Sequence, residues 1–308
     1  MIDASSQPGY VSQPLIEVYG GGAVANGFRL AAASDSTTLR GFAIGGFSNS
    51  DVNISGDNHT VAGNYFGVTR DGVTAFPTRT GFASVYVTGT GTVIGGALVA
   101  DRNIIANAQN GVIVDGSGTS NITISRNFIG VNLSGNAVAL NTFDGVRIQN
   151  GVTGAIVGGP TAAYGNVIAS GQDGVQIDGE TTDGAIVRNN LIGVGADGTT
   201  ATTIGGSGVV LWGGPDSTVI RGNIIGNVTG TGIWLDGASL TTTIAGNLLG
   251  VDVLRNPHPI QQNGILIEKQ GNRLDHRWPH WHTIATSSLT QASASGSRQA
   301  SPSRRVST

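Results

Sequence analysis

One short phrase recurs along the chain: an asparagine, two mostly apolar residues, and then a glycine or an alanine. It begins at Asn64, Asn103, Asn127, Asn166, Asn190, Asn223 and Asn247. The steps between copies are 39, 24, 39, 24, 33 and 24 residues, so long and short steps alternate and the larger unit spans 63 residues. A period of this kind is typical of a solenoid, in which each coil buries its apolar face only by stacking on its neighbours.

Two further phrases run in phase with the asparagine phrase. One is glycine, apolar, any residue, apolar, as in GVQI, and the other is a short strand such as TVIGG or AIVR. Each coil therefore carries three short alternating strands separated by turns, and no 3.6-residue period predicts a helix. We predict a parallel β-helix of about nine coils over residues 1–272, about 43 Å long at ~4.8 Å per coil. Its upstream strands include 15–18, 39–44 and 52–55. A β-sandwich is the alternative, which the fixed phase disfavours.

Two features of the long coils and their asparagines carry structural predictions. The asparagines should form a ladder, because their amides can bond the backbone of adjacent coils and tolerate a left-handed backbone. The extra residues of the long coils all follow the asparagine phrase, so we expect these loops to stack along one edge. Loops inserted at one repeat position often mark a binding face. They span residues 68–80, 131–144, 194–207 and 251–263.

Composition excludes several classes of protein. A net charge of −3 and a single lysine, Lys269, argue against a nucleic-acid binder. The absence of cysteine excludes disulfides and thiolate sites, and apolar runs are too short for a membrane helix. The first residues have no signal-peptide pattern. Residues 273–308 hold only one glycine, and we expect a disordered or non-native tail; His276, His280 and His282 there lack the carboxylates or thiolates of a metal site.

The chain resembles the bacterial right-handed parallel β-helix repeat proteins of the pectin-lyase-like class, above all large surface or secreted ones. The resemblance covers roughly residues 1–272. It is carried by the segments SQPGY at 6–10, PLIE at 14–17 and LRGFAI at 39–44, and by the repeated NxIGV, TVIGG and GVxI phrases. It implies a right-handed β-helix, an extracellular or cell-surface location and a chain that begins inside a longer protein. The resemblance does not by itself imply enzymatic activity. The carboxylate motifs of polygalacturonases and the calcium-binding nonapeptide are absent from the sequence.

The strand that follows each repeated glycine should present its second and fourth residues outward. This alternation places Trp212 and Trp234 diagonally on adjacent coils. Aromatic faces beside carboxylates and amides suit sugar rings, so the pair is a candidate glycan-binding surface. The alternative is that neighbouring loops cover both tryptophans. The predicted substrate-binding residues are Trp212, Trp234, Gln176, Asp178 and Asp236.

Asp144 and Asp173 each precede a strand glycine on adjacent coils, about 5 Å apart if the coils stack. That spacing suits a retaining glycosidase or a carboxylate pair with one raised pKa, with Arg147 neutralising a uronate. A structural Ca²⁺ is a further alternative. Aspartate before glycine is also a common turn pair, and other coils have Asn110 and Ser207 at this position. The same turn interpretation applies to the aspartates that end strands, such as Asp178 and Asp236.

Two functions follow from these patterns. The first is a non-catalytic extracellular segment of a larger bacterial surface or secreted protein, adhesive or glycan-contacting, without a cofactor. The alternative is a polysaccharide lyase or glycosidase that uses Asp144, Asp173 and Arg147, with Trp212 and Trp234 as subsites. The expected partners are a polysaccharide or cell-surface glycan and the remainder of a longer chain, with neither nucleic acid nor a transmembrane segment. The coil scaffold is shared by enzymes and adhesins, so the fold alone does not decide between them.

Overall fold

Three parallel sheets of nine strands each build the molecule. The computed structural model describes residues 1–239 and 241–268. Successive strands of one sheet are three strands apart in the sequence, so every coil contributes one strand to each sheet. This arrangement confirms the predicted parallel β-helix of about nine coils. The predicted tail at 273–308, with its three histidines, lies outside the described residues, as does the end of the predicted domain at 269–272.

The strand bounds are as follows. The first sheet contains Ile2–Asp3, Thr38–Arg40, Thr60–Ala62, Val93–Gly95, Thr123–Ser125, Ile156–Gly158, Ile186–Arg188, Val219–Arg221 and Thr243–Ala245. The second sheet contains Ile16–Tyr19, Phe42–Gly45, Tyr65–Phe66, Ile104–Ile105, Phe128–Ile129, Val167–Ile168, Leu191–Ile192, Ile224–Ile225 and Leu248–Leu249. The third sheet contains Asn26–Leu30, Ser50–Ile54, Thr80–Val87, Ala108–Asp115, Val146–Gln149, Val175–Asp178, Val209–Trp212, Ile233–Asp236 and Ile265–Ile267. Three single-turn 3-10 helices interrupt the coils at Ala4–Ser6, Val99–Asp101 and Ala162–Tyr164.

The predicted strand at 39–44 is two strands that belong to different sheets. The chain turns a corner between them at Gly41, whose φ is +81°. A Cβ at this glycine would lie 2.7 Å from the backbone nitrogen of Ser5 in the preceding coil. The segment that the sequence suggests is one strand therefore contains a corner at its glycine. Only a glycine both accepts this φ and permits the close approach of the chain.

The core is one column of aliphatic side chains inside the three sheets. Along the third sheet, Val146 and Ile148 are register partners of Val175 and Ile177, and all four are fully buried. Each such side chain stabilises the fold by roughly 1.5–3 kcal/mol. The intervening residues point outward, as the alternation predicts, and the outer faces of the sheets are where ligand-contacting side chains can lie.

The repeated asparagines form a continuous buried ladder, which confirms the structural prediction. The amide of Asn127 is typical: its Oδ1 accepts from Asn103 Nδ2 at 2.9 Å, and its Nδ2 donates to Asn166 Oδ1 at 3.1 Å and to the Ile94 carbonyl at 2.9 Å. The expectation of a left-handed backbone at these asparagines is wrong. In most coils it is the preceding residue that has a positive φ, such as Arg126 at +62°.

The inserted loops stack on one another, as predicted, and each contacts the loop two coils away. Leu133 donates its backbone N–H to the carbonyl of Gly72 at 2.9 Å, and Ala196 donates to that of Gly135 at 3.0 Å. The loops also pack on the outer face of the second sheet, where they bury Tyr65. They therefore complete an outer apolar layer on the second sheet and leave the outer face of the third sheet open.

Candidate functional site

The outer face of the third sheet gathers most of the predicted binding residues. Its strands are in register from Ala108–Asp115 to Ile265–Ile267, so outward side chains form two columns along the rod. The first column is Ile113, Arg147, Gln176, Val210, Trp234 and Leu266, and the second is Asp115, Gln149, Asp178, Trp212 and Asp236. The face is therefore mixed, with aromatic, amide and charged groups along one line.

Trp212 and Trp234 meet edge to face across adjacent coils, with ring centroids 5.3 Å apart. Trp212 is 44% exposed, whereas Val210 beside the pair is buried. The alternative in which loops cover both tryptophans does not hold for Trp212, because the inserted loops pack on the second sheet. The Trp234 indole N–H donates to Glu268 Oε2 at 3.1 Å, which fixes the orientation of its ring. The pair therefore presents a rigid aromatic step to solvent.

A groove of about 350 Å³ begins beside Trp234 and runs across the edge of the third sheet. Asp173, Trp234, Gln262 and Glu268 line it, together with hydroxyls and glycine backbone from the turns that lead into the strands. Sequence analysis singled out Asp173 and Trp234 but missed Gln262, which comes from the end of the last inserted loop. A groove with an aromatic wall, one amide and two carboxylates can hold a sugar ring by stacking and by hydrogen bonds to its hydroxyls.

Asp144 and Asp173 lie on adjacent coils, in a second hydrogen-bonded ladder. The backbone N–H of Asp173 donates to Asp144 Oδ1 at 3.2 Å, and that of Ser207 donates to Asp173 Oδ1 at 2.6 Å. Asn110 and Ser207 accept from the next coil in the same way. Each side chain thus caps the turn of the following coil. This geometry supports the turn interpretation of these aspartates.

Burial separates the two carboxyl groups. Asp144 is 1% exposed, whereas Asp173 reaches the groove. Burial and the neighbouring charge of Asp173 raise the pKa of Asp144 to about 6, and burial also raises the pKa of Asp173. The prediction that both groups act directly on a polymer needs correction, because Asp144 lies too deep to contact one. Asp173 alone is placed to meet a ligand.

Arg147 is engaged by carboxylates of its own chain. Its Nη2 lies 2.9 Å from Asp178 Oδ2, and its Nη1 lies 3.8 Å from Asp144 Oδ2. The nearby Asp115 is also engaged, since Tyr86 and Asn150 donate to its two oxygens at 2.6 and 2.7 Å. An arginine that already faces two carboxylates is a poor receptor for a uronate, so the predicted role of Arg147 finds no support in this geometry. Gln176 and Asp236 are half-buried on the same face.

Within residues 1–239 and 241–268, no group of three histidine, aspartate or glutamate side chains is arranged to hold a metal ion. No helix of this described part is long and apolar enough to cross a membrane.

No family model and no curated protein matches the chain. Among solved structures, the chain is similar to the crystal structure of the Dettilon tailspike protein, at 16% identity and a TM-score of 0.42. The match covers 85% of this chain and 53% of the tailspike chain, so the chain spans about half the length of that protein. The three stacked sheets themselves define the chain as a parallel β-helix repeat protein.

Proposed function

We propose that the chain is a non-catalytic, glycan-contacting β-helix segment of a larger bacterial surface or secreted protein. The exposed Trp212, set edge to face against Trp234, which itself lines the groove, is the observation that carries this proposal. Aromatic pairs normally bury their rings, and an exposed rigid pair offers a sugar an apolar face without an ordering penalty. Asp173, Gln262 and Glu268 supply hydrogen-bond acceptors, and Gln262 also a donor, within the same groove.

The experiment is native electrophoresis of the full chain through gels that contain neutral polysaccharides, pectin or alginate. Binding retards the band without loss of the polymer. Trp212→Ala and Trp234→Ala should each abolish most of the retardation. Tyr19→Ala is the matched control, because Tyr19 is 46% exposed but lies on the second sheet. Retardation that both tryptophan variants retain would refute this surface.

The second candidate is a carbohydrate-active enzyme, and Asp173, a carboxyl group that lines the groove and whose pKa burial raises, is what favours it. The same gels test it, because cleavage leaves a cleared zone around the band. Asp173→Asn should remove the cleared zone if Asp173 performs acid–base chemistry. Cleavage that survives this substitution would exclude Asp173 as the catalytic carboxylate. Since Asp144 is buried, binding without cleavage is the expected result.

A further inference from the structure

A row of arginines lies at the corner between the first and second sheets, away from the groove. Arg188 and Arg221 are the last residues of their first-sheet strands, and Arg102 and Arg126 directly precede two ladder asparagines. Val187 and Ile220, the strand residues before Arg188 and Arg221, are fully buried, so the alternation turns both arginines outward. The arginine row is Arg102, Arg126, Arg188 and Arg221.

Contacts between coils join these arginines in two pairs, one on each side of the coil of Asn166, which contributes no arginine to the row. Arg102 Nε donates to the Arg126 carbonyl at 3.3 Å, and the Arg126 backbone N–H donates to the Tyr164 carbonyl on the next coil at 2.9 Å. Arg188 and Arg221 are register partners on adjacent strands. The four arginine residues therefore follow the long axis of the rod over about five coils, or roughly 20 Å.

The row carries positive charge that no carboxylate of the described residues offsets at ion-pair distance. In the part of the chain that the structure describes, the only arginines within ion-pair distance of a carboxylate are Arg40, on Asp101, and Arg147. The Nε atoms of Arg126 and Arg188 are buried and have no hydrogen-bond partner among these residues. Burial and the charge of Arg126 lower the pKa of Arg102 from its usual value. An anion that approached the row would relieve this repulsion.

Two aromatic rings hold two of the four guanidinium groups in place. The Arg102 guanidinium lies 4.1 Å from the centroid of Phe128, and the Arg126 guanidinium lies 5.2 Å from that of Tyr164. Cation–π contacts of this kind limit the rotamers of an arginine and prepare its N–H groups for an acceptor. They also occupy the ring faces on which the bases of a nucleic acid would stack.

We propose that the arginine row binds a linear acidic polysaccharide, carrying carboxylate or sulfate groups, that lies along the rod axis. The coil spacing of ~4.8 Å is comparable to the length of one sugar residue, so adjacent acidic sugars of a chain along the rod would meet the two arginines of each adjacent pair. Arginine is suited to this role because its planar guanidinium pairs with carboxylates and sulfates in a bidentate manner. The inference does not depend on the glycan-contacting groove, which lies on another sheet and presents the carboxylates of Asp173 and Glu268.

The test measures binding of the full chain to immobilised heparin and to polygalacturonate, as the sulfate and carboxylate probes, over a range of salt concentrations. The double variant Arg188→Gln with Arg221→Gln should bind roughly tenfold more weakly, since two surface ionic contacts with the polymer are lost. The slope of log K against log salt should fall by about one for each arginine removed.

Two control variants carry the same change of net charge. Arg29→Gln with Arg70→Gln alters exposed arginines outside the row, and Arg304→Gln with Arg305→Gln alters basic residues beyond the described part of the chain. Both should retain wild-type binding and salt slope. Equal losses in the row variant and in either control would overturn the proposal, as would the absence of binding at low salt. Tighter binding of oligo-dT than of both polysaccharides would favour a nucleic acid and reject the proposed partner.

Discussion

Among individual residues, Asp51 has the most unusual environment. It lies on the third-sheet strand Ser50–Ile54, and its carboxyl group is fully buried. The Thr80 hydroxyl donates to its Oδ1 at 2.6 Å, and its Oδ2 accepts no hydrogen bond from the described residues. Burial raises the pKa of Asp51 to about 8. The group is thus mostly neutral in the folded protein at pH 7 and ionised in the unfolded chain.

This environment predicts a pH-dependent stability. Between pH 4 and 8 the folded protein binds the extra proton, so the free energy of unfolding falls as the pH rises through this window. Asp51→Asn removes the linkage and should raise the free energy of unfolding at pH 8 by the order of a few kcal/mol, and Tm with it, with little effect at pH 4. Thermal unfolding of both proteins from pH 4 to 8 measures the difference.

Asp71 provides a control of opposite sign. Its exposed carboxylate accepts from Thr74 Oγ1 and from the backbone N–H groups of Val73 and Thr74, and these bonds hold its pKa below the usual range. Asp71→Asn should therefore lower Tm by a similar amount at every pH from 5 to 8. A Tm difference for Asp51→Asn that stays constant across the window would contradict the assignment.

A second residue-scale prediction concerns the glycine or alanine that closes the asparagine phrase. Gly130 has φ +69°, and a Cβ there would lie 1.8 Å from the Ala169 carbonyl. Ala169 closes the next copy of the phrase and has no positive φ. Gly130→Ala should therefore prevent folding of the coil or strongly destabilise it. The matched Ala169→Gly should cost only about 1 kcal/mol. Denaturant unfolding of the two variants compares them, and equal losses would be unexpected.

Among the structural elements, the asparagine ladder links the coils most directly. Asn127 is fully buried and connects Asn103 to Asn166. Asn127→Ala leaves buried N–H and carbonyl groups without partners and should lower the free energy of unfolding by about 2–4 kcal/mol. Asn127→Asp should lower it further at pH 7, because a carboxylate oxygen would face the Ile94 carbonyl. Urea unfolding provides the measurement.

Asn247 is the corresponding control at the last described rung. It is only half-buried, and among the described residues it has one neighbouring ladder asparagine rather than two. Asn247→Ala should cost clearly less than Asn127→Ala. If the two losses are the same, the ladder does not act through its inter-coil bonds.

The sequence predicts these elements well because the chain repeats them. Each coil supplies its own copy of the asparagine and of the alternating strand, so local pattern and stacking agree. The groove was harder to predict, because Gln262 and Glu268 approach Trp234 only through the path of the last loop. Sequence analysis also did not predict that the inserted loops cover the outer face of the second sheet. In the sequence, Tyr65 has the pattern of a surface aromatic residue. It is buried because a loop folds over it, and the repeated phrases do not determine the direction of that loop.

At the scale of the whole molecule, the strands of each coil pair only with those of its two neighbours, while the inserted loops reach two coils away. Stability in such a rod is a sum of coil and interface contributions, so an end coil with one neighbour is less protected than a central one. Ile265 and Ile267 are 43% and 39% exposed, whereas the corresponding Val146 and Ile148 are fully buried. The last described coil is therefore the weakest of those compared.

Hydrogen exchange should follow this gradient. Amides of the central third-sheet strands, such as Val146–Gln149 and Val175–Asp178, should exchange slowest, and those of Ile265–Ile267 at least tenfold faster. Mass-spectrometric detection on the full chain resolves these segments. Uniform protection along the rod would show instead that it unfolds as one cooperative unit.

The contacts between loops two coils apart have a consequence for how such a chain can change in length. Removing one coil would place a long turn against a short one and leave the loop of residues 131–144 without its partner. Removing 63 residues, from Asn103 to Gly165, joins Arg102 to Asn166 and brings Ala196 to the place of Leu133 against Gly72. Viable shortened or duplicated versions should therefore differ by an even number of coils, because only such a change keeps every long coil two coils away from the next one.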